Sequence, residues 1–289
     1  MAKIMPLADA VHANIKDGDS IAMEGFTHLI PHAAGHEIIR QRKTDLALIR
    51  MTPDLIYDQL IGMGVARKLL FSWGGNPGVG SLHRFRDAVE KSWPRSLEIE
   101  ERAHADMASS YVAGASGLPF SLLRGYAGTD IPKNNPTIKR IPCPFTGELL
   151  AASPAIRPDV TVIHAQKADR KGNVLLWGIV GVQKEAVLAA NRAIVTVEEI
   201  VDDLGVDSAH NAVILPHWVL SAVCCVPRGA TPSYAHGYYS RDNAFYKSWD
   251  AISRDRETFV SWMTRNVLET NDFAEFLALQ EGADAHVAA

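Results

Sequence analysis

The sequence is poor in cysteine. Three residues in 289, Cys143, Cys224 and Cys225, are too few for a disulfide framework. Cys224 and Cys225 stand side by side in an apolar stretch and read as buried thiols. A reducing, cytoplasmic setting is the expectation. No apolar run reaches the roughly 18 residues of a membrane span. The nearest, Ala212 to Val226, is interrupted by Pro216 and His217. The first ten residues, MAKIMPLADA, lack the apolar core of a signal peptide. An excess of one charge is also missing. Lys and Arg number 29 against 33 Asp and Glu, and a net charge of −4 leaves no footprint for nucleic acid or an anionic membrane. Internal repeats and Ser- or Pro-rich linkers are absent, so residues 1–280 read as a single domain. Within it, about 240–280 form a helical C-terminal extension, and 281–289 a flexible tail. There is no GxSxG and no HExxH, so neither a serine esterase of the α/β-hydrolase type nor a zincin is indicated.

What is present is ordinary globular material, 47% hydrophobic and 21% charged. Leu7, Val11 and Ile15 recur every four residues, a helix face. Strand-like runs follow at 20–24, 46–51, 68–72, 97–100, 160–165, 174–177, 193–198 and 212–215. Helical patterns lie at 33–42, 54–63, 82–92, 105–115 and 183–190. Strands alternating with helices predict an α/β fold: an open, mostly parallel, doubly wound sheet with helices on both faces. From about Asp242 to Leu279, Trp249, Phe259, Trp262, Val267 and Phe276 recur among charges. They predict two or three helices packed on the sheet or on a partner.

Ligands of such sheets bind beyond the carboxyl ends of the strands. Two loops there are candidates. Glu24, Gly25, Phe26 and His28 open the first, where Gly25 admits close backbone approach and free N–H groups can hold an oxyanion. The second runs from Trp73 to Gly80 and has four glycines in eight residues, including Gly74 and Gly75 beside Asn76. It suggests an anion cradle but fits neither GxGxxG nor the Walker pattern; tight turns that need positive φ are the competing reading. His28, His32 and His36 are spaced four apart, but Pro31 starts a helix between them and leaves His28 in the loop, so no metal is expected. Glu98, Glu100 and Glu101 with His104 and Asp106 form the densest titratable cluster, at a strand end. The alternatives there are a catalytic acid or base and a solvated helix start.

Three stretches in order carry a resemblance. Asp17–Phe26 (DGDSIAMEGF), Lys167–Asn173 (KADRKGN) and Thr196–Asp202 (TVEEIVD) resemble the A subunit of the family I CoA-transferases. Glu24 departs from that family's Gly-Gly-Phe signature by replacing its first glycine. The resemblance spans about Leu7 to Thr270. Within the family, the segments 24–31, 51–59, 71–84 and 233–239 look closest to the subgroup acting on 3-oxoadipate in aromatic-compound degradation, with the glutaconate enzymes more distant.

The resemblance implies CoA transfer from succinyl-CoA to 3-oxoadipate through a glutamyl-CoA intermediate, with coenzyme A as substrate and no further cofactor. It implies a B subunit whose Ser-Glu-Asn-Gly motif holds the nucleophilic glutamate; that motif is missing from this chain. Acyl-CoA and a small dicarboxylic acid would then bind in a cleft shared by the two chains. His104 falls where many members have a glutamine near the reacting carbonyl. Glu101 falls near an acid of ring-opening hydrolases on the same fold. A hydrolase or C–C-cleaving enzyme using an A-subunit glutamate, and a non-catalytic binding subunit, are the alternatives. Arg84, Arg102 and Lys167 are the candidate cations for a distal carboxylate.

Overall fold

The computed structural model describes residues 3–76, 79–205 and 211–287. The strands are β1 (Lys3–Ile4), β2 (Ser20–Met23), β3 (Leu46–Ile49), β4 (Ala66–Phe71), β5 (Glu98–Glu101), β6 (Phe120–Leu123), β7 (Lys139–Pro142), β8 (Leu149–Pro154), β9 (Val160–Asp169), β10 (Val174–Leu176), β11 (Arg192–Val201), β12 (Val213–Leu215) and β13 (Ala222–Cys225). The helices are α1 (Leu7–Asn14), α2 (His32–Arg40), α3 (Leu55–Gly62), α4 (His83–Lys91), α5 (His104–Ala115), α6 (Ile131–Asn134), α7 (Gln183–Ala189), α8 (Asn243–Arg254), α9 (Arg256–Met263) and α10 (Phe273–Val287).

The main sheet runs β1-β13-β11-β9-β2-β3-β4-β5, with every neighbouring pair parallel. β10 and β12 add an antiparallel flange beside β9. The strand order reverses between β2 and β9, the kind of switch point where doubly wound sheets open a crevice. Alternation along the strands divides the core between two faces. Ile21, Met23, Leu48, Leu69 and Phe71 join the cluster under α2 and α3. Ala22, Ile49 and Leu70 point the other way, toward Met107 and Tyr111 of α5 and Ala186 and Ala189 of α7.

The C-terminal helices are part of the core. Asp242 and Asp255 cap α8 and α9 by accepting the N–H groups of Phe245 and Thr258. Trp249 and Phe259 are fully buried against α3 and α4. The Trp249 indole donates to Asp58 of α3 at 3.0 Å, and Asp58 also accepts the N–H of Phe85 in α4.

Strands β1 and β13 lie outside the expected runs, and three further features depart from the sequence expectation. Residues 281–287 continue α10 where a tail was expected. Cys225 is exposed although Cys224 is buried, because neighbouring strand residues face opposite ways. A three-stranded antiparallel sheet, β6-β8-β7, covers α5 and was not foreseen. Its strands carry Ser121 and Ser153 inward beside Leu123 and Ala151, and these serines bond to Asp106 of α5.

Candidate active site

The carboxyl ends of β2, β3, β4 and β5 lie side by side and converge on a cavity of about 240 Å³. It is lined by Phe26 and Thr27 after β2, Arg50, Thr52 and Asp54 after β3, Trp73 after β4, and His104 after β5. At the rim, the Phe26 and Trp73 side chains remain 41% and 46% exposed, so the cavity lacks one wall.

The loop after β2 is tightly wound. A Cβ on Gly25 would lie 2.8 Å from the carbonyl oxygens of His28 and Leu29, so the turn closes only on glycine. Thr27 and Leu29 take positive φ, 56° and 52°. Among the described residues, the N–H groups of Phe26 and Thr27 have no hydrogen-bond partner. Both residues line the cavity, so these N–H groups are the candidate donors for an oxyanion there. Glu24, in contrast, is buried behind the loop, accepting from Tyr111 at 2.9 Å and from the Met51 N–H at 3.1 Å. Burial pushes its carboxyl above the usual range, against the opposing Arg50 charge. It is a structural acid and does not line the cavity.

His104 is the first residue of α5, and its Nδ1 lies 2.6 Å from Ser72 Oγ. Ser72 also lies 2.6 Å from the Met51 carbonyl. That carbonyl can only accept, so the Ser72 proton goes to it and His104 Nδ1–H donates to Ser72. Nε2 is left for the cavity, as an acceptor when the ring is neutral and as a donor when it is charged. Phe26 packs edge-on against the same ring at 6.4 Å. The start of α5 has only Ala103 at the cap position. The Tyr126 hydroxyl substitutes for a cap, accepting the Ala103 N–H at 2.8 Å and donating to Asp106 at 2.6 Å.

The structure does not bring Glu101 into this cavity. It lines a separate pocket with Ile99, Asp130, Ile131, Asn134 and Asn135 on the outer side of β5. Edge strand β5 turns alternate side chains to opposite faces, and Glu101 falls on the wrong one. Glu98 and Glu100 are paired with Lys68, and Glu100 also with Arg102.

In the Gly74–Gly75–Asn76 loop, two of the three N–H groups are already used within the chain. Gly75 N–H donates to Pro53 O and Asn76 N–H to Gly80 O, while the Asn76 amide is buried and donates to Tyr246 O. A Cβ on Gly75 would sit 2.7 Å from the far edge of the Trp73 ring, so glycine there lets the ring lie over the backbone. The turn thus seats Trp73 at the rim. Pro77 and Gly78 of this loop lie outside the described residues.

Of the candidate cations, Arg84 is buried between the Trp93 and Phe259 rings, and Arg102 is held by Glu100 and Pro154 O. Lys167 lines a second cavity of about 670 Å³ with Trp177, Glu199, His236 and Tyr238, and pairs with Glu199 at 3.3 Å. His36 bonds Gln59 at 2.9 Å between Phe273 and Phe276, a packed core histidine. Among the described residues, no three His, Cys, Asp or Glu side chains converge as a metal site.

Arg50, Thr52, Asp54 and Ser72 were not singled out from sequence, although they follow predicted strands. Arg50 is buried, donating to Asp54 at 2.9 Å and to the Gly25 carbonyl at 2.8 Å, so it ties the β2 and β3 loops together.

Known proteins share this architecture. The family described as coenzyme A transferase matches residues 4–225. The A subunit of the 3-oxoadipate CoA-transferase of Pseudomonas knackmussii is 70% identical over 96% of this chain and 98% of its own. The crystal structure of glutaconate CoA-transferase from Acidaminococcus fermentans superposes with a TM-score of 0.87 at 32% identity, covering 96% of this chain and 92% of that one. The cholesterol ring-cleaving hydrolase IpdA subunit of Rhodococcus jostii is 26% identical over 93% of both chains. With a matching family over most of its length and a parallel-sheet scaffold to match, this chain belongs to the coenzyme A transferase family.

Proposed function

We propose that the chain is the A subunit of a 3-oxoadipate CoA-transferase, taking CoA from succinyl-CoA. The observation that carries this is the 70% identity, nearly end to end, to the A subunit from Pseudomonas knackmussii. A B subunit with a Ser-Glu-Asn-Gly motif completes the enzyme. Two features support a second chain: the motif is missing here, and the cavity lacks a wall beside exposed Phe26 and Trp73. Coenzyme A is a substrate, and no other cofactor takes part. The three cysteines are unpaired, in keeping with a cytoplasmic enzyme.

The partner's glutamate attacks the succinyl thioester carbonyl and expels CoA thiolate, leaving an acyl-glutamyl anhydride. The thiolate attacks the glutamyl carbonyl, giving a glutamyl-CoA thioester and free succinate. The carboxylate of 3-oxoadipate attacks that thioester and expels the thiolate. The thiolate then attacks the 3-oxoadipyl carbonyl, releasing 3-oxoadipyl-CoA and the original carboxylate. Each addition puts negative charge on a carbonyl oxygen. This chain's Phe26 and Thr27 N–H groups are the donors for that charge, preorganised by their loop. Phe26 and Trp73 keep water from the anhydride and thioester. His104 Nε2 stands at the same cavity to orient the acyl group.

The test is intact-mass analysis of both chains after mixing the complex with succinyl-CoA and quenching. The reading expects CoA mass on the partner alone. CoA or acyl mass on this chain would overturn it.

A further inference from the structure

His28 lies in the oxyanion loop, yet it is fully buried and both ring nitrogens are used. Nδ1 is 3.2 Å from the Ile179 carbonyl, which can only accept. The His236 N–H donates to Nε2 at 2.9 Å. These partners select the neutral Nδ1–H tautomer and leave no ring atom for a substrate. Through them His28 joins three segments: its own loop, the turn around Gly178 to Gly181 after β10, and the loop 232–239.

The packing is built around the ring. Gly178 has φ +94°, and a Cβ there would lie 2.9 Å from His28 Cε1. The Tyr234 ring lies 4.6 Å from the imidazole. Beside it, Leu29 N–H donates to Tyr234 O and Ser233 Oγ donates to Thr27 O, both at 2.9 Å. Thr27 and Leu29, the left-handed residues, flank His28 on either side. Such conformations, worst for β-branched Thr27, persist only where the surroundings overdetermine them.

We propose that His28 is a positioning residue: it clamps the 177–181 and 232–239 loops onto the β2 loop and so fixes the Phe26 and Thr27 N–H groups at the cavity. It touches neither acyl-CoA nor acid. This rests on the transferase reading above for what those N–H groups bind, but the clamp itself stands on the geometry. Burial holds the His28 imidazole down to about pKa 4, with the Ile179 hydrogen bond opposing and His236 and His164 assisting, so it stays neutral at working pH. The other titratable group packed on it is the phenol of Tyr234.

Two variants test the clamp. His28→Phe keeps ring volume and loses both hydrogen bonds. His28→Gln puts an amide oxygen in reach of the His236 N–H. In complex with the partner subunit, His28→Phe is expected to lose on the order of ten- to hundredfold in kcat, the effect of a loop misplaced by about 1 Å. KM for acyl-CoA and for the acid should stay within about threefold, and His28→Gln should recover part of kcat. Hydrogen exchange on the chain alone provides a second reading. Amides of 25–31 and 232–239 should exchange faster together in His28→Phe and slow again in His28→Gln. Full kcat with unchanged exchange would overturn the proposal. A rise in the acid's KM with kcat retained would also overturn it, since His28 would then be a substrate contact. If the wild-type complex transfers nothing, the transferase reading fails, and the exchange pattern still decides the clamp.

Discussion

Tyr126→Phe isolates how the small sheet supports the site. The Tyr126 hydroxyl accepts the Ala103 N–H at 2.8 Å and donates to Asp106 at 2.6 Å. Asp106 is fully buried, and its other partners are Ser153 at 2.7 Å and the longer contacts of Ser110 and Ser121. Losing a hydrogen bond to a charged acceptor removes about 1.5–3 kcal/mol, and the stranded N–H at a half-buried helix start adds about 1 kcal/mol. The ring itself stays, so no cavity opens. The expected loss is therefore about 2.5–4 kcal/mol, read as a lower urea midpoint at unchanged m value. His104 is the next residue after Ala103, so kcat should fall as well under conditions where the variant is folded. A loss below about 0.5 kcal/mol would mean that water replaces the phenol at no cost and that the hydroxyl does not hold the start of α5.

Other outcomes follow from the same geometry. Ser72→Ala removes the group that holds His104 Nδ1 and should lower kcat roughly tenfold in steady-state assays of the complex, with little change in melting temperature. Gly114→Ala should destabilise the chain by about 3 kcal/mol in urea titrations, because its Cβ would sit 2.1 Å from the Ile156 carbonyl oxygen, a backbone atom that cannot rotate away. His36 is held neutral in the core, pushed down to about 3 by burial, then by the Arg40 charge. The unfolded chain takes up its proton below pH 6.5, so this contribution is complete above 6.5 and is lost as pH falls toward 3. Between pH 6.5 and 5 the loss is about 2 kcal/mol, and urea midpoints of His36→Gln should fall less over that interval.

Much of the scaffold was legible. The strands at 20–23, 46–49 and 66–71 overlap the strand-like runs read at 20–24, 46–51 and 68–72, and their parallel order follows from the helices between them. The Gly25 turn was legible because a glycine directly after a strand marks a place where backbone must pass close to backbone or ligand. The small sheet was not legible: β6 and β8 are short, and they are held by Ser121 and Ser153 to one buried acid, a pairing that exists only after folding. Glu101 misled because a strand end places alternate side chains on opposite faces, and spacing alone does not say which face holds the cavity. His28 showed its location in sequence but not its role, since its partners Ile179 and His236 are more than 150 residues away. The Gly74–Gly75 pair looked like a cradle, whereas in the fold Gly75 leaves room for the Trp73 ring to lie over the backbone and Gly74 packs beside Phe85.

The most direct test of the split-site account is CoA transfer from succinyl-CoA to 3-oxoadipate, followed by formation of 3-oxoadipyl-CoA. It should be run with this chain by itself, with its B-chain partner by itself, and with both. Turnover is expected only when both are present, with no acyl-CoA hydrolysis when the acceptor is left out. Turnover by this chain without its partner, or acyl-CoA hydrolysis by the pair without acceptor, would contradict it.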